Sequence, residues 1–291
     1  MLGDRPRLDA YAAALEHSAP GNVVLDVGCG TGILSLLAAR AGARKVYALE
    51  SNAELASLAR TIVDENGLGS TIDVVHGDAA SAALPEQADV LVSEWMGFHL
   101  LHENMLEAVL AARDRHLKPE GVMLPSQARV VAAPVDMSAQ TAEMFGFWQD
   151  VRGFDMSAAV PRVAAALQAQ PLVQSVPEAA LLAAPQVVGS LELGDRAALR
   201  ASEPIAVHGQ CGFPCATEGV CHGFALWFEC DFPGGARLST APAAPATHWA
   251  QSVVFLPEML AAAPGYALDC AIRVAPDEEN PRWAVIDVQM G

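Results

Sequence analysis

Basic side chains are scarce in this sequence: across 291 residues, 17 Lys and Arg stand against 34 Asp and Glu, which gives a net charge of −17. A surface of this sign repels phosphate backbones, so direct binding to nucleic acid is not expected. It attracts cationic partners, such as a peptide rich in Arg or Lys, although acidity also serves simply to keep a protein in solution. The charge therefore disfavours one class of partner and leaves the substrate open.

Long apolar runs are also lacking, although 52% of the residues are hydrophobic. The most apolar region, residues 158–191, is interrupted by four prolines and two charged side chains. No stretch is long enough to cross a bilayer, so no membrane partner is expected. The first residues are charged and no apolar segment follows them, so an export signal is not expected either. These absences predict a cytoplasmic protein.

Cysteine pairs of the CxxC type are absent, although six cysteines are present. Their spacing in a chain of this length does not indicate a disulfide framework. Cys211, Cys215 and Cys221 lie near two histidines in the sequence, His208 and His222, so zinc binding is one interpretation. Because no CxxC pair is present and the residues after His222 predict a strand, ordinary thiols are favoured and no metal site is expected.

The first 125 residues alternate strand-type and helix-type segments. Apolar runs typical of buried strands (VVLDV, KVYALE, TIDVVHGD and ADVLVSE) are separated by segments rich in helix formers, and such a segment also precedes the first run, at residues 8–18. A further helix is predicted at residues 104–116, and Lys118–Gly121 is predicted to turn the chain into a last strand. This alternation predicts an α/β domain at residues 1–125 with a Rossmann-like, doubly wound parallel sheet.

After Pro125 the pattern changes to short β-type runs separated by turns that contain proline or glycine. Such a pattern is typical of an all-β barrel or sandwich, which we predict for residues 126–291. Within it, residues 140–168 are more helical and hold several aromatic side chains. Taken alone, this segment indicates a surface patch for a partner.

A glycine-rich loop, Gly28–Gly32 (GCGTG), lies between the first strand and a helix. Glycines let the backbone approach a ligand closely, and the start of a helix offers unpaired N–H groups. The loop alone is weak evidence, because dinucleotide sites use a similar loop and glycine turns occur in many α/β proteins. Asp26 lies just before the loop, and Glu50 closes the next strand, where a carboxylate can bind both hydroxyls of a ribose. These two carboxylates favour a cofactor site.

Asp78 and Ala79 follow the third strand-type run, where an adenine ring would lie. The Asp78 carboxylate can accept a hydrogen bond from an adenine amino group, or it can cap a turn. The sequence leaves both interpretations open.

The segment SEWMGFHLLHENML places Glu94 at the end of a strand and Glu103 at the start of a helix, with an apolar loop between them. Two carboxylates beside a cofactor pocket suit one planar cation, because a guanidinium presents five N–H donors in a fork. Holding the cation orients its terminal nitrogen toward a methyl donor, and the ion pair favours a more nucleophilic nitrogen. The segment therefore predicts a guanidinium site.

Three segments together resemble the protein arginine methyltransferases in their order and spacing: VLDVGCGTGILSLLAARAGARKVYALE, SEWMGFHLLHENML and Thr247–Gln251 (THWAQ). The resemblance extends over nearly the whole chain, including the change of pattern at Pro125. It implies methyl transfer from S-adenosyl-L-methionine to a guanidino nitrogen of arginine in a protein or peptide. It also implies a homodimer, formed through an arm around Phe145–Phe154.

The resemblance implies roles for individual residues. Glu94 and Glu103 would hold the substrate guanidinium as catalytic residues. His248, the third catalytic residue, would lie beside them and pair with Asp4, and Arg7 would bind the carboxylate of the cofactor. The other assignments are Asp26, Gly28, Gly30, Glu50, Asp78 and Ala79 for the cofactor, and Met1, Met96, Met105 and Trp249, with Asp4, for the arginine pocket.

The sequence also departs from the family pattern. A helix with the pattern Tyr-Phe-x-x-Tyr, which in the family folds over the cofactor, has no counterpart in the sequence, so weaker cofactor binding is expected. Asp78 stands in for a family glutamate near Ala80, and His102 replaces an aromatic residue. Two alternatives stay open: methylation of another nucleophile, such as lysine or a small amine, and a relative that grips arginine-rich segments without turnover.

Overall fold

Strands and helices alternate through the first half of the chain. The computed structural model describes residues 2–291, so the predicted pocket residue Met1 lies outside the described residues. The helices are α1 (Arg5–Ser18), α2 (Ile33–Arg40), α3 (Ala53–Glu65) and α4 (Leu106–His116). The strands are β1 (Val23–Val27), β2 (Lys45–Glu50), β3 (Ile72–His76), β4 (Ala88–Val92) and β5 (Leu117–Leu124).

These five strands form one parallel sheet in the order β3-β2-β1-β4-β5. Every residue of β1 is buried, as its nearly continuous apolar sequence predicts for a sheet covered on both faces. Asn52 caps α3 because its side chain accepts hydrogen bonds from the N–H groups of Glu54 and Leu55. The predicted Rossmann-like, doubly wound sheet is confirmed.

The strand order creates a crevice in the middle of the sheet. The chain leaves β1 for β2 and β3 on one side and returns to β4 on the other, so β1 and β4 are neighbours whose connections diverge. In open α/β sheets, ligands bind at the carboxyl ends of such strands. The glycine loop follows β1 and Glu94 follows β4, so the topology brings both to this crevice.

The second half of the chain consists of antiparallel strands with a helical insertion. The helices are α5 (Ser138–Gly146) and α6 (Val160–Ala169). The strands are β6 (Gln127–Val135), β7 (Leu172–Gln174), β8 (Gln186–Glu192), β9 (Val207–Pro214), β10 (Gly219–Asp231), β11 (Arg237–Ser239), β12 (Gln251–Ala262), β13 (Ala267–Pro276) and β14 (Ala284–Met290).

These strands form two sheets. One has six strands, in the order β7-β12-β10-β6-β8 with β11 beside β10, and the other has three, in the order β14-β13-β9. Within residues 2–291 the two sheets do not join into a closed ring. The predicted all-β character of this half is therefore observed, as two antiparallel sheets that do not close into a barrel.

Two predicted element boundaries differ from the structure. Lys118–Gly121, expected to form a turn before the strand, lies within the bounds of β5 but has no partner on β4, since the pairing passes from Leu117 with Ala88 to Val122 with Val90. Helix α1 begins at Arg5 rather than at residue 8, because Asp4 caps it by accepting from the N–H group of Arg7 and a proline follows at the first turn.

A buried arginine fixes the sheets of the second half to the first. Arg113 on α4 is fully buried, and its guanidinium donates to the carbonyl oxygens of Leu193 at 2.8 Å and Leu199 at 2.6 Å. Helix α4 follows directly after the loop that carries Glu94 and Glu103. The contact therefore holds the two halves together next to that loop.

The cysteines lie in the interior as free thiols. All six are buried, and Cys211 and Cys270 are opposite each other on β9 and β13. In the part of the chain that the structure describes, no group of three or more His, Cys, Asp or Glu side chains is arranged to hold a metal ion. Nor does any helix in that part have the length and apolar character needed to span a membrane.

Candidate active site

The glycine loop adopts a backbone that only glycine takes up readily. Gly28, Gly30 and Gly32 have φ angles of 72°, 56° and 86°, in the left-handed region where a side chain is strained. The N–H groups of Gly28 and Cys29 donate to the carbonyl oxygen of Leu49 at 2.9 and 3.0 Å, which ties the loop to the end of β2. The loop therefore forms a narrow, fixed floor at the start of α2.

Glu50 is held in place by the same loop. Its two carboxylate oxygens accept from the N–H groups of Gly30 and Asn52, each at 2.8 Å. The side chain is buried yet lines the cavity above the loop. A carboxylate fixed in this way and facing a cavity is suited to accept hydrogen bonds from vicinal hydroxyls.

The loop that connects Glu94 to Glu103 is strained. Four non-glycine residues in it have positive φ angles, namely His99 at 43°, Leu100 at 78°, Glu103 at 78° and Asn104 at 51°. Each such residue raises the energy by about 1–3 kcal/mol and persists only where its surroundings hold it. Here the N–H group of Glu103 donates to the carbonyl oxygen of Arg282 at 2.6 Å, so the second half of the chain supports the strained loop.

Gly97 allows this loop to fold back on itself. Its backbone N–H and carbonyl groups pair with those of Leu100, each at 3.1 Å. A Cβ atom at Gly97 would lie 1.8 Å from the carbonyl oxygen of His102, a distance at which backbone has to move. The close approach therefore requires glycine.

Glu94 pairs with Arg7 from helix α1. The distance from Nη1 of Arg7 to Oε2 of Glu94 is 2.8 Å, and the side chains are only 5% and 12% exposed. Burial, followed by the charges of Glu103 and Asp4, raises the pKa of Glu94 to about 7 even though Arg7 lowers it.

His248 and Asp4 form a second pair. Nδ1 of His248 lies 2.6 Å from Oδ2 of Asp4, and the same oxygen accepts from the backbone N–H group of His248 at 3.0 Å. Burial raises the pKa of the Asp4 carboxyl, but the hydrogen bonds from His248 outweigh it and leave that pKa below its ordinary value. The His248 ring stacks at 4.0 Å on that of Trp249, whose indole N–H donates to the carbonyl oxygen of Met96 at 2.9 Å.

Apart from Asp4, which was predicted for the arginine pocket and reaches it only through His248, these groups line one cavity of about 540 Å³. This volume is within the range of about 300–1,000 Å³ usual for ligand sites. The predicted residues that line it are Arg7, Gly28, Gly30, Glu50, Glu94, Met96, Glu103, Met105, His248 and Trp249. Glu94 and Glu103 thus share a cavity with the glycine loop. Tyr11, which sequence reasoning missed, lines it as well. The available signal was its spacing of four residues from Arg7, which brings the two side chains to one face of a helix once the helix is known to begin at Arg5.

Three predicted cofactor residues do not line this cavity. Asp26 is buried beneath the loop, where its carboxylate accepts from the hydroxyl of Ser35 at 2.6 Å, and burial raises its pKa to about 7. Asp78 is exposed and accepts from the N–H group of Ala80 at 2.8 Å, as the turn-capping interpretation requires. Ala79 next to it is buried. The turn-capping contact of Asp78 is therefore present, and its adenine contact stays a prediction.

The cavity fits S-adenosylmethionine. Arg7 is the only Lys or Arg among its described lining residues, and one cation suits the single carboxylate of the cofactor. Glu50 suits the ribose hydroxyls of the cofactor. No atom lies within 4 Å of the position that a Cβ at Gly30 would take, so the backbone there is open to close approach by a ligand. The other two lining glutamates, Glu94 and Glu103, suit a guanidinium and a sulfonium, since both are cations.

Comparisons with known proteins agree with this geometry. Residues 126–290 match the arginine methyltransferase oligomerization subdomain, and residues 24–121 match a methyltransferase domain. The chain is 36% identical over 319 residues to a probable protein arginine N-methyltransferase 6.1 of Oryza sativa subsp. indica, covering 99% of this chain and 83% of that protein. It is 37% identical over 292 residues to protein arginine N-methyltransferase 6 of Xenopus laevis, covering 97% of this chain and 84% of that protein.

Solved structures are similar over the full length of the chain. The Trypanosoma brucei PRMT1 enzyme–prozyme heterotetrameric complex with AdoHcy superposes with a TM-score of 0.87 at 31% identity, covering 100% of this chain and 91% of that chain. Arabidopsis thaliana protein arginine methyltransferase 10 superposes with a TM-score of 0.84 at 30% identity, covering 100% and 90%. The predicted fold, methyltransferase activity and S-adenosylmethionine cofactor are confirmed, and the chain belongs to the protein arginine N-methyltransferase family.

Proposed function

We propose that this protein transfers methyl groups from S-adenosylmethionine to arginine in a cationic protein or peptide, with Glu94 and Glu103 holding the guanidinium. The observation that carries this assignment is that both carboxylates line the cavity whose floor is the glycine loop. A net charge of −17 suits a substrate rich in Arg or Lys.

Glu94 and Glu103 bind and orient the acceptor. Their carboxylates accept charge-assisted hydrogen bonds from the guanidinium fork, which aims its terminal nitrogen at the reacting methyl group. They also concentrate the positive charge on the nitrogens that they contact, so the remaining nitrogen keeps more of its lone pair. The fixed loop between them, with Gly97 at its fold, keeps the two carboxylates in register.

Arg7, Glu50 and the loop Gly28–Gly30 would hold the cofactor. When bound, S-adenosylmethionine supplies an electrophilic methyl group on its sulfonium sulfur. Arg7 would pair with its carboxylate, and Glu50 would accept from its ribose hydroxyls.

His248 removes the proton that the guanidino nitrogen loses on methylation. With Nδ1 of His248 donating to Asp4, the Nε2 lone pair of the ring is left to accept a proton. Asp4 stabilises the imidazolium that results, because its ionised carboxylate lies 2.6 Å away.

Substitution of the two glutamates tests the assignment. We expect Glu94→Gln and Glu103→Gln each to lower turnover by about a hundredfold or more, since each deletes a charge-assisted contact to the reacting cation. Glu107→Gln, on the first turn of α4, is the matched control. Mass spectrometry of peptides that differ only by Arg or Lys gives the readout. Methylation of Lys alone, or wild-type rates in either variant, would contradict the proposal.

We further propose a homodimer formed through residues 138–169. None of the residues of α5 and α6 is buried, and Phe147 and Phe154 are 60% and 72% exposed in this segment. Apolar side chains exposed to this degree are expected to be covered by a partner. Light scattering should give twice the chain mass for the wild type and a single mass for Phe154→Asp. A dimer of unchanged stability in that variant would exclude the arm as the interface.

We place the activity in the cytoplasm, because six free thiols suit a reducing compartment. The acidic surface disfavours nucleic acid as a direct partner.

A further inference from the structure

Helix α1 and the residue that caps it bring three side chains to one face, next to the active site. Arg7 and Tyr11 are four residues apart and share a side of the helix, and Asp4 precedes them as the N-cap residue. Asp4 contacts His248 and Arg7 contacts Glu94, as described above. Tyr11 is the third member of this face, and the roles assigned so far do not include it.

Tyr11 is fixed in the interior. Its side chain is fully buried, and its ring packs edge-on against Phe232 with 5.0 Å between the ring centroids. Its hydroxyl donates to the carbonyl oxygen of Ser93 at 2.8 Å, and the sulfur of Met96 lies 3.6 Å from the same hydroxyl oxygen. Burial, followed by the charge of Glu94, raises the pKa of Tyr11 well above its ordinary value, so the hydroxyl keeps its proton and acts as a donor.

The residues that Tyr11 contacts lie on both sides of Glu94. The hydroxyl of Ser93 donates to the carbonyl oxygen of Val27 at 2.7 Å, which ties the segment to the strand before the glycine loop. The carbonyl oxygen of Met96 accepts from the indole N–H of Trp249. Residues 93–96 are therefore fixed by three hydrogen bonds: one to β1, one to Trp249 in the second half of the chain, and one to Tyr11 on α1.

We propose that Tyr11 is a positioning residue for Glu94. Its hydroxyl fixes the backbone immediately before Glu94 and contacts the side chain two residues after it, so the carboxylate enters the cavity at one angle. This inference rests on the proposed role of Glu94. A displacement of about 1 Å in a reacting geometry lowers a rate by up to roughly a hundredfold. Loss of this single hydroxyl is therefore expected to lower turnover.

Tyr11→Phe tests the proposal, because it removes the hydroxyl and keeps the ring. We expect kcat on an arginine peptide to fall by roughly tenfold and the peptide KM to rise, while the Kd for S-adenosylhomocysteine, measured by calorimetry, stays within about twofold of the wild-type value. Tyr47→Phe is the matched control, since Tyr47 is also buried but its hydroxyl faces Glu86, away from the site. This control should leave kcat, KM and Kd unchanged.

A second readout does not depend on catalysis. The Trp249 indole N–H, assigned by NMR with a Trp249→Phe variant, should exchange with solvent at least about threefold faster in Tyr11→Phe and at the wild-type rate in Tyr47→Phe. If the exchange rate and kcat of Tyr11→Phe both equal the wild-type values, the positioning role is overturned. It is also overturned if Tyr11→Phe loses cofactor affinity in parallel with kcat. A wild-type protein without methyltransferase activity would instead refute the proposed function, and the exchange experiment would still decide the role of Tyr11.

Discussion

The ion pair between Arg7 and Glu94 gives a prediction with a defined sign and size. Arg7→Gln removes the cation 2.8 Å from Glu94, and the two side chains are 5% and 12% exposed, so water and salt screen the pair only weakly. Removing one partner from a buried pair costs about 3–5 kcal/mol if the other stays charged. Glu94 escapes part of this penalty by taking up a proton, and each unit of pKa corresponds to about 1.36 kcal/mol.

The pKa of Glu94 should therefore rise from its value of about 7. We expect an increase of at least about one unit in Arg7→Gln. Only the ionised carboxylate binds a guanidinium, so the acidic limb of the profile of kcat/KM against pH should move to higher pH by the same amount. The direction is fixed, because Arg7 is a group that lowers this pKa and its removal leaves the raising effects of burial, Glu103 and Asp4.

The assay is kcat/KM for an arginine peptide at saturating S-adenosylmethionine, from about pH 6 to about pH 9, since kcat/KM reports the pKa values of the form that binds the peptide. Saturation removes any change in cofactor affinity, which Arg7→Gln should also weaken. Arg5→Gln is the matched control, because Arg5 lies on the same helix and is exposed. An acidic limb at the same pH in Arg7→Gln and in the wild type would refute the reasoning.

Two further predictions concern the interior of the site. Gly97→Ala should lower turnover by about a hundredfold or more, because its Cβ would lie 1.8 Å from the backbone oxygen of His102. Gly194→Ala is the control, since no atom lies within 4 Å of its Cβ position, and it should retain wild-type turnover. The pKa of Asp26, about 7, lies above its ordinary value, so ionisation of Asp26 lowers the free energy of unfolding as the pH rises to about 7. Asp26→Asn removes this dependence, so its free energy of unfolding should improve relative to the wild type from about pH 4 to about pH 7 and change no further above that. A constant difference in denaturant titrations over this range would contradict the raised pKa.

The sequence was sufficient to predict the parallel sheet, because buried strands and intervening helices leave periodic patterns. The glycine loop and the two glutamates could be predicted because each stands at the end of a strand-type run. The start of β5 was predicted poorly, because Lys118–Gly121 interrupts the pairing with β4 as a turn would, and only the structure shows that Leu117 before it is already paired. The sequence also left a barrel and a sandwich open for residues 126–291, because the order in which distant strands pair leaves no pattern in the sequence.

Contacts between distant residues could not be predicted in the same way. Arg7 and Glu94 are 87 residues apart, and only the folded chain shows that the residue assigned to the cofactor touches the residue assigned to the substrate. Tyr11 was missed because its partners are a backbone carbonyl and a thioether, neither of which leaves a pattern in the sequence. Asp78 was assigned to the cofactor from its place after a strand, and its contact with Ala80 appears only in the structure.

The hydrogen bond from Glu103 to Arg282 means that the acceptor half of the active site is not encoded by residues 1–125 alone. Without the antiparallel sheets, the strained backbone at Glu103 would lose the carbonyl group of Arg282 that restrains it, and Asp4 would lose His248. A chimaera that joins the first half to foreign sheets would therefore lack a competent acceptor pocket, unless the turn before β14 and the loop before β12 came with it.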